Sequence, residues 1–307
     1  MSKQATVMKP ARKSGSTRPT RRWPLIAALV VAVVVSAVAV FVIRGSGGTG
    51  GSGGSASPGE AFGHVHGIAV DPATKAPYVA THVGLFRIED ERTAVRVSQG
   101  TPDLMGFTAV GPGRFLASGH PGEHDEGPGN LGLIESADGG VTWKTMSLSG
   151  AADFHGLQAA HGLVYGYNSG DGAFLVSSDR RTWERRSTIA IGAFAVSPAD
   201  PQIVLAIGRD GVGRSGDGGR TWSLVPGAPE LAVLAWNQAE QVWGAAPDGT
   251  VWRSADGGAT WQRRGSAGGP VHALTAHEGT VLAAVDGDRI VASTDGGATW
   301  TTRYSPK

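Results

Sequence analysis

The sequence predicts an all-β fold made of one repeated unit, and three observations carry the prediction. Glycine reaches 48 of 307 residues and tryptophan (9) outnumbers phenylalanine (8), a composition suited to many short strands joined by tight turns. One motif recurs as SADGGVTW (136–143), SGDGGRTW (215–222), SADGGATW (254–261) and STDGGATW (293–300), and a degraded copy, SSDRRTW, ends at Trp183. Its tryptophans stand at 143, 183, 222, 261 and 300, spaced by 40, 39, 39 and 39 residues, which marks a repeat architecture.

Each element follows in order. Residues 1–23 form a basic tail, predicted to be cytoplasmic, and residues 24–43 (PLIAALVVAVVVSAVAVFVI) are apolar and uncharged. At about 1.5 Å per residue, 20 helical residues cross the ~30 Å hydrocarbon core. Seven basic residues precede this stretch and only Arg44 follows it, so the positive-inside rule exports everything downstream. The expectation is a single-pass signal-anchor in the cell membrane, with secretion after signal cleavage as the alternative. Residues 44–60 are Gly/Ser-rich and read as a flexible linker with a mean reach of about 20 Å.

Residues 61–307 hold the repeats. The last copy shows four strand-like runs, VHALTAH, GTVLAAV, DRIVAST and TWTTRYS, with the motif at the hairpin between the third and fourth. There the Asp carboxylate can accept backbone N–H groups, and the glycines supply positive φ. Two further copies precede Trp143, the first being HVHGIAV, APYVATH, GLFRIED and TAVRVS. Six repeats of four strands predict a six-bladed β-propeller with no room for a helix. Setting aside the eight basic residues before Glu60 leaves 19 basic against 26 acidic residues, a net −7, which argues against a nucleic-acid partner. The absence of cysteine excludes disulfides, thiolate metal sites and thiol catalysis.

The S-x-D-G-G-x-T-W copies resemble the Asp-box, or BNR, repeat of sialidases, sortilin-type receptors and photosystem-assembly propellers. HVHGIAVDP, YVATHVGLFR, MGFTAVGPGRFLASGHP, LGLIESADGGVTW and ADFHGL together resemble an exported bacterial family labelled sialidase-like or glycosyl hydrolase-like. The resemblance covers residues 61–307 and implies an exo-acting glycoside hydrolase, or a non-catalytic assembly or receptor scaffold. A sialidase would need an arginine triad, a Tyr nucleophile paired with Glu, an Asp acid/base and an R-I-P motif in the first blade. Here the nearest stretch is FRIE (86–89), with Glu89 in place of proline, and no tyrosine has an evident Glu partner. The remaining acid candidates are Glu123, Asp125 and Glu126 in the insertion PGEHDEGPGN, together with Asp153. Asp171, Asp210, Asp248 and Asp286 each precede glycine and read as tight-turn residues.

The histidines offer a different chemistry. Aligning the six innermost strands places His66, Met105, His155, Gly192, Ala232 and His272 at one repeat position around the axis. Strand alternation sets His64 on the same face as His66. His82 and His120 end the second strands of the first two blades, and His124 lies in the insertion above them. Seven of nine histidines are therefore expected at one channel mouth, with His161 and His277 at the opposite side. Neutral imidazoles without thiolates suit Cu or Zn, and a Met105 thioether would favour copper. The expected ligands are His64, His66, His155 and His272, then His82, His120 and Met105, with Asp153 orienting a histidine. A metal ion, a carbohydrate or a protein are the ligands this mouth could take.

Overall fold

A computed structural model describes residues 62–306 except His124 and Glu240. The predicted anchor and linker lie outside the described residues, as does His124. Among the described residues no helix is long and apolar enough to cross a membrane.

Among the described residues, twenty-four strands form six four-stranded antiparallel sheets, each continuous in sequence. Blade 1 is β1 (Val65–Val70), β2 (Pro77–Thr81), β3 (Gly84–Ile88) and β4 (Ala94–Arg96). Blade 2 is β5 (Asp103–Gly111), β6 (Arg114–His120), β7 (Leu133–Ser136) and β8 (Lys144–Ser147). Blade 3 is β9 (Phe154–Ala160), β10 (Leu163–Asn168), β11 (Ala173–Ser177) and β12 (Glu184–Thr188). Blade 4 is β13 (Ile191–Val196), β14 (Val204–Gly208), β15 (Gly211–Ser215) and β16 (Ser223–Leu224). Blade 5 is β17 (Val233–Gln238), β18 (Gln241–Ala245), β19 (Thr250–Ser254) and β20 (Gln262–Ser266). Blade 6 is β21 (Val271–His277), β22 (Thr280–Val285), β23 (Arg289–Ser293) and β24 (Thr301–Tyr304).

The apolar core is divided among the six seams between blades. Tyr78, Leu85, Phe107 and Phe115 fill the seam of blades 1 and 2, for example, and Leu116, Phe154, Leu157 and Val164 that of blades 2 and 3. Each repeat tryptophan sits just before its outer strand and packs, partly buried, against one of these clusters. Among the described residues no strand crosses between sheets, and the ring closes through side-chain packing and a backbone hydrogen bond from Ser305 N–H to the Glu91 carbonyl (3.0 Å). Phe62 stacks on Tyr304 with ring centres 5.2 Å apart, tilts against Phe86 at 5.0 Å, and donates its backbone N–H to Asp288 (3.1 Å). Phe62 is fully buried in the seam of blades 1 and 6. Replacing it with alanine is expected to cost about 3–5 kcal/mol, because the closing contact leaves a cavity. That would lower the melting temperature by about 10 °C; an unchanged melting curve would mean that the ring closes elsewhere.

The repeated Asp motif is a turn lock. In blade 2 Ser136 donates to Asp138 (2.8 Å), and Asp138 also accepts the backbone N–H (2.9 Å) and hydroxyl (2.5 Å) of Thr142. Asp256 repeats the pattern with Ser254 and Thr260. The threonine hydrogen bonds hold the carboxyls of Asp138 and Asp256 at about 2, and those of Asp217 and Asp295 are also held well below the ordinary range. A pKa depressed in the folded state stabilises above the unfolded value and is lost as pH falls through the folded one. Stability is therefore expected to fall between about pH 4 and pH 2. Replacing Asp138 and Asp256 with asparagine should flatten that fall, measured by thermal melting across the window; identical profiles would contradict it.

Candidate metal centre

The six inner strands line an axial channel of about 790 Å³, and His66, Met105, His155, Gly192, Ala232 and His272 all face it. The aligned repeat position is thus a real structural ring. The reason differs from simple strand alternation. In blades 1, 2, 3, 4 and 6 the pairing register shifts across this residue, between Val65 and Gly67, Leu104 and Gly106, Phe154 and Gly156, Ile191 and Ala193, and Val271 and Ala273. A β-bulge inserts one extra residue and re-aims its side chain. His66, Met105, His155 and His272 are such residues. His64 corrects the alternation argument, since it lies in a bend before β1 rather than on the strand. His82 likewise follows the end of β2.

A second repeat position stands two residues before the bulge and holds His64, Asp103 and Asp153 in blades 1 to 3. It builds the chemistry. Between blades 1 and 2, Asp103 Oδ2 lies 2.9 Å from His82 Nδ1, and Asp103 Oδ1 lies 3.5 Å from His66 Nε2. The two imidazole nitrogens face each other at 3.3 Å. Between blades 2 and 3, Asp153 Oδ2 lies 2.7 Å from His155 Nε2 and 3.7 Å from His120 Nε2. Each trio brings one ligating atom per residue within 4.8 Å of the others. Instead of converging on one centre, His66 and His82 gather at the seam of blades 1 and 2, and His120 and His155 at that of blades 2 and 3. Met105 lines the channel.

The separations suit a metal. Bonds of about 2.0–2.1 Å in a tetrahedral arrangement space ligand atoms about 3.3–3.4 Å apart. Asp103 Oδ1 and Asp153 Oδ1 are buried with no hydrogen-bond donor among the described residues. Such an orphaned carboxylate oxygen is costly unless something binds it. Burial pushes the Asp103 carboxyl up, but the imidazoles of His66 and His82 more than offset this and hold it below the ordinary range. Burial likewise raises Asp153, while His155, Ser169 and His120 outweigh it and keep it low. Ser169 donates its hydroxyl to Asp153 Oδ2 at 2.8 Å.

His64 completes the first group. Its ring centre lies 4.9 Å from that of His66, 5.6 Å from that of His82 and 4.9 Å from that of His272. Burial, and then the neighbouring imidazoles, lower its pKa, so its nitrogen lone pair is available at neutral pH. His272 instead pairs with Asp286 at 2.6 Å. Asp286 thus does more than the turn role its sequence suggests, whereas Asp171 and Asp248 do accept turn N–H groups from Ala173 and Thr250. His161 and His277 also line the channel and lie outside both trios.

The other acid candidates lie elsewhere. Asp125 and Glu126 line a groove of about 290 Å³ beside Trp143, where Asp125 also accepts the Gly122 backbone N–H (3.0 Å). Glu123 is exposed. A general acid needs a raised pKa, which Asp153 lacks. Asp288, pushed up by burial, was not among the sequence candidates; it holds the Phe62 N–H at the ring closure.

A family profile described as the DUF6242 beta propeller domain matches residues 215–307. No curated protein matches the chain by sequence. Among solved structures, a GH74 xyloglucanase from Xanthomonas campestris is similar at 19% identity and a TM-score of 0.52, over 78% of this chain and 38% of that one. The chain therefore spans well under half of that enzyme's length. A chain of a nidogen/laminin complex is similar at 10% identity and a TM-score of 0.58, over 75% of this chain and 93% of that one. YCF48 from Cyanidioschyzon merolae is similar at 16% identity and a TM-score of 0.49, covering 79% and 85%. At these identities the likeness to the first two is one of fold alone. The chain is a six-bladed β-propeller whose C-terminal third resembles the DUF6242 beta propeller domain.

Proposed function

We propose that this protein is a metal-binding propeller, held at the outer face of the cell membrane by residues 24–43 and the linker 44–60. Its ion sits between blades 1 and 2 on His66 Nε2, His82 Nδ1 and Asp103, with His64 as fourth donor. The observation that carries the reading is Asp103 Oδ1, buried without a donor beside two imidazole nitrogens 3.3 Å apart. Three imidazoles on one tetrahedral ion hold their ring centres roughly 5 Å apart, close to the spacings of His64, His66 and His82. Three nitrogens and one carboxylate, with no thiolate, suit Zn(II) or Cu(II). His82 is half-exposed, which leaves the centre open to exchange with solvent.

The test uses the full chain in mild detergent, without a histidine tag. Elemental analysis and titration with Zn(II) and Cu(II) should find bound metal that the His66→Ala/His82→Ala variant loses from this seam. Metal at background level in the wild type would overturn the reading. Glycoside hydrolysis is the second reading, favoured by the groove that sets Asp125 and Glu126 beside Trp143. Turnover of a glycoside panel abolished by Glu126→Gln, and insensitive to metal removal, would support it instead.

A further inference from the structure

We infer that the seam of blades 2 and 3 carries a second metal site, formed by His120, Asp153 and His155, whose three-donor set leaves one coordination position open to an exogenous ligand. The inference rests on the metal-binding reading of the blade 1–2 seam and extends it to a separate set of residues.

The second seam repeats the chemistry of the first with different support. Asp153 is 8% exposed, and its Oδ1 has no donor among the described residues. Its Oδ2 is already placed by the Ser169 hydroxyl, and its backbone N–H is held by Asn168 Oδ1 (2.9 Å). His120 Nδ1 lies 2.7 Å from the Gly129 carbonyl. That contact makes Nδ1 the protonated nitrogen and turns the Nε2 lone pair toward Asp153. Backbone carbonyls commonly fix metal-ligating histidines in this way. His155 is the bulge residue of β9 and brings its Nε2 to the same carboxylate.

The seam is also tightly built. Phe154 donates its backbone N–H to Ser118 Oγ across it (3.0 Å). A Cβ on Gly106 would come within 2.5 Å of the Phe154 carbonyl, so the inner strands of the two blades meet backbone to backbone. The two centres share one rung of blade 2, because Asp103 and His120 are paired residues of β5 and β6. They differ in what surrounds them. The first has a third imidazole, His64, within ring-contact distance, whereas among the described residues the second has no further histidine in ring contact. A zinc or copper ion with three protein ligands completes its shell with water or an exogenous donor. His120 and His155 are each 39% exposed, which gives such a donor access.

Stoichiometry tests this directly on the tag-free full chain. The wild type should bind two Cu(II) ions per chain. Asp153→Asn/His155→Ala should retain one, and His66→Ala/His82→Ala should retain the other. Should the Asp153 variant fail to fold, His120→Ala serves the same purpose, since that side chain is half-exposed. Azide should shift the visible absorption of copper in the His66→Ala/His82→Ala variant. It should leave the Asp153→Asn/His155→Ala variant unchanged. One ion in the wild type, insensitive to the Asp153, His155 and His120 changes, would overturn the second site and leave the first intact. Two ions without an azide response would overturn the open position. A wild type that binds neither copper nor zinc would remove both readings.

Discussion

Asp103→Asn is expected to abolish the metal stabilisation contributed by the blade 1–2 seam while leaving the metal-free protein as stable as the wild type within about 1 kcal/mol. An amide keeps the shape of the carboxylate and can still meet His82 Nδ1, now 2.9 Å from Oδ2. It removes the charge that draws a cation, and an unpaired neutral amide atom in the place of Oδ1 costs less to bury than a charged one. If Asp103 served only as an ion-pair partner, its loss would destabilise the metal-free fold, because a buried pair broken on one side is costly. The two roles therefore predict opposite patterns. For the wild type, metal at about 100 times its dissociation constant adds about 2.7 kcal/mol. That corresponds to a melting shift of about 5–10 °C in a domain of this size. The variant should lose the share of the blade 1–2 seam and bind there at least about 100-fold more weakly. Thermal melting with and without Zn(II), in an Asp153→Asn/His155→Ala background, reads both quantities; a destabilised metal-free variant that still responds to metal would refute the assignment.

Gly119→Ala is expected to be the most damaging single substitution near the site, costing about 3 kcal/mol or more. Gly119 adopts φ +147°, where a side chain is strained, and it pairs with Leu104 just below the rung of Asp103 and His120. A Cβ there would come far too close to the Asp103 carbonyl, and within 2.9 Å of the Met105 backbone nitrogen. Neither neighbour is a flexible side-chain end, so the bulge at Met105 itself has to move. Both trios draw a ligand from this rung, so metal binding in both seams should weaken together. Denaturant unfolding and copper titration measure the two effects. A variant with wild-type stability and both ions bound would show that the bulge tolerates the change.

Much of this architecture is legible in the sequence because the repeat is strict. The tryptophans at 143, 183, 222, 261 and 300 count the blades, and the Ser-Asp-Gly-Gly-Thr pattern carries its own turn lock. The ring of His66, Met105, His155 and His272 follows from the same alignment. The bulge that points those side chains at the channel does not, because it is a register shift between strands rather than a residue type. Asp103 was within reach of the alignment, two residues before Met105 as Asp153 is before His155, but a lone aspartate at a strand start looks like an ordinary polar end. The division of the histidines between two seams depends on where His82 and His120 reach across from neighbouring strands, which periodicity alone does not encode. Asp286 was hidden by its turn signature, since Asp-Gly marks a hairpin whether or not a histidine lies opposite.

The central claim is that the blade 1–2 seam ligates a metal, and anomalous diffraction tests it most directly. Crystals of the protein grown with Zn(II), measured on either side of the zinc absorption edge, should show a peak about 2.0–2.2 Å from His66 Nε2, His82 Nδ1 and an Asp103 oxygen. Well-ordered crystals showing all three side chains and no anomalous peak between them would contradict it.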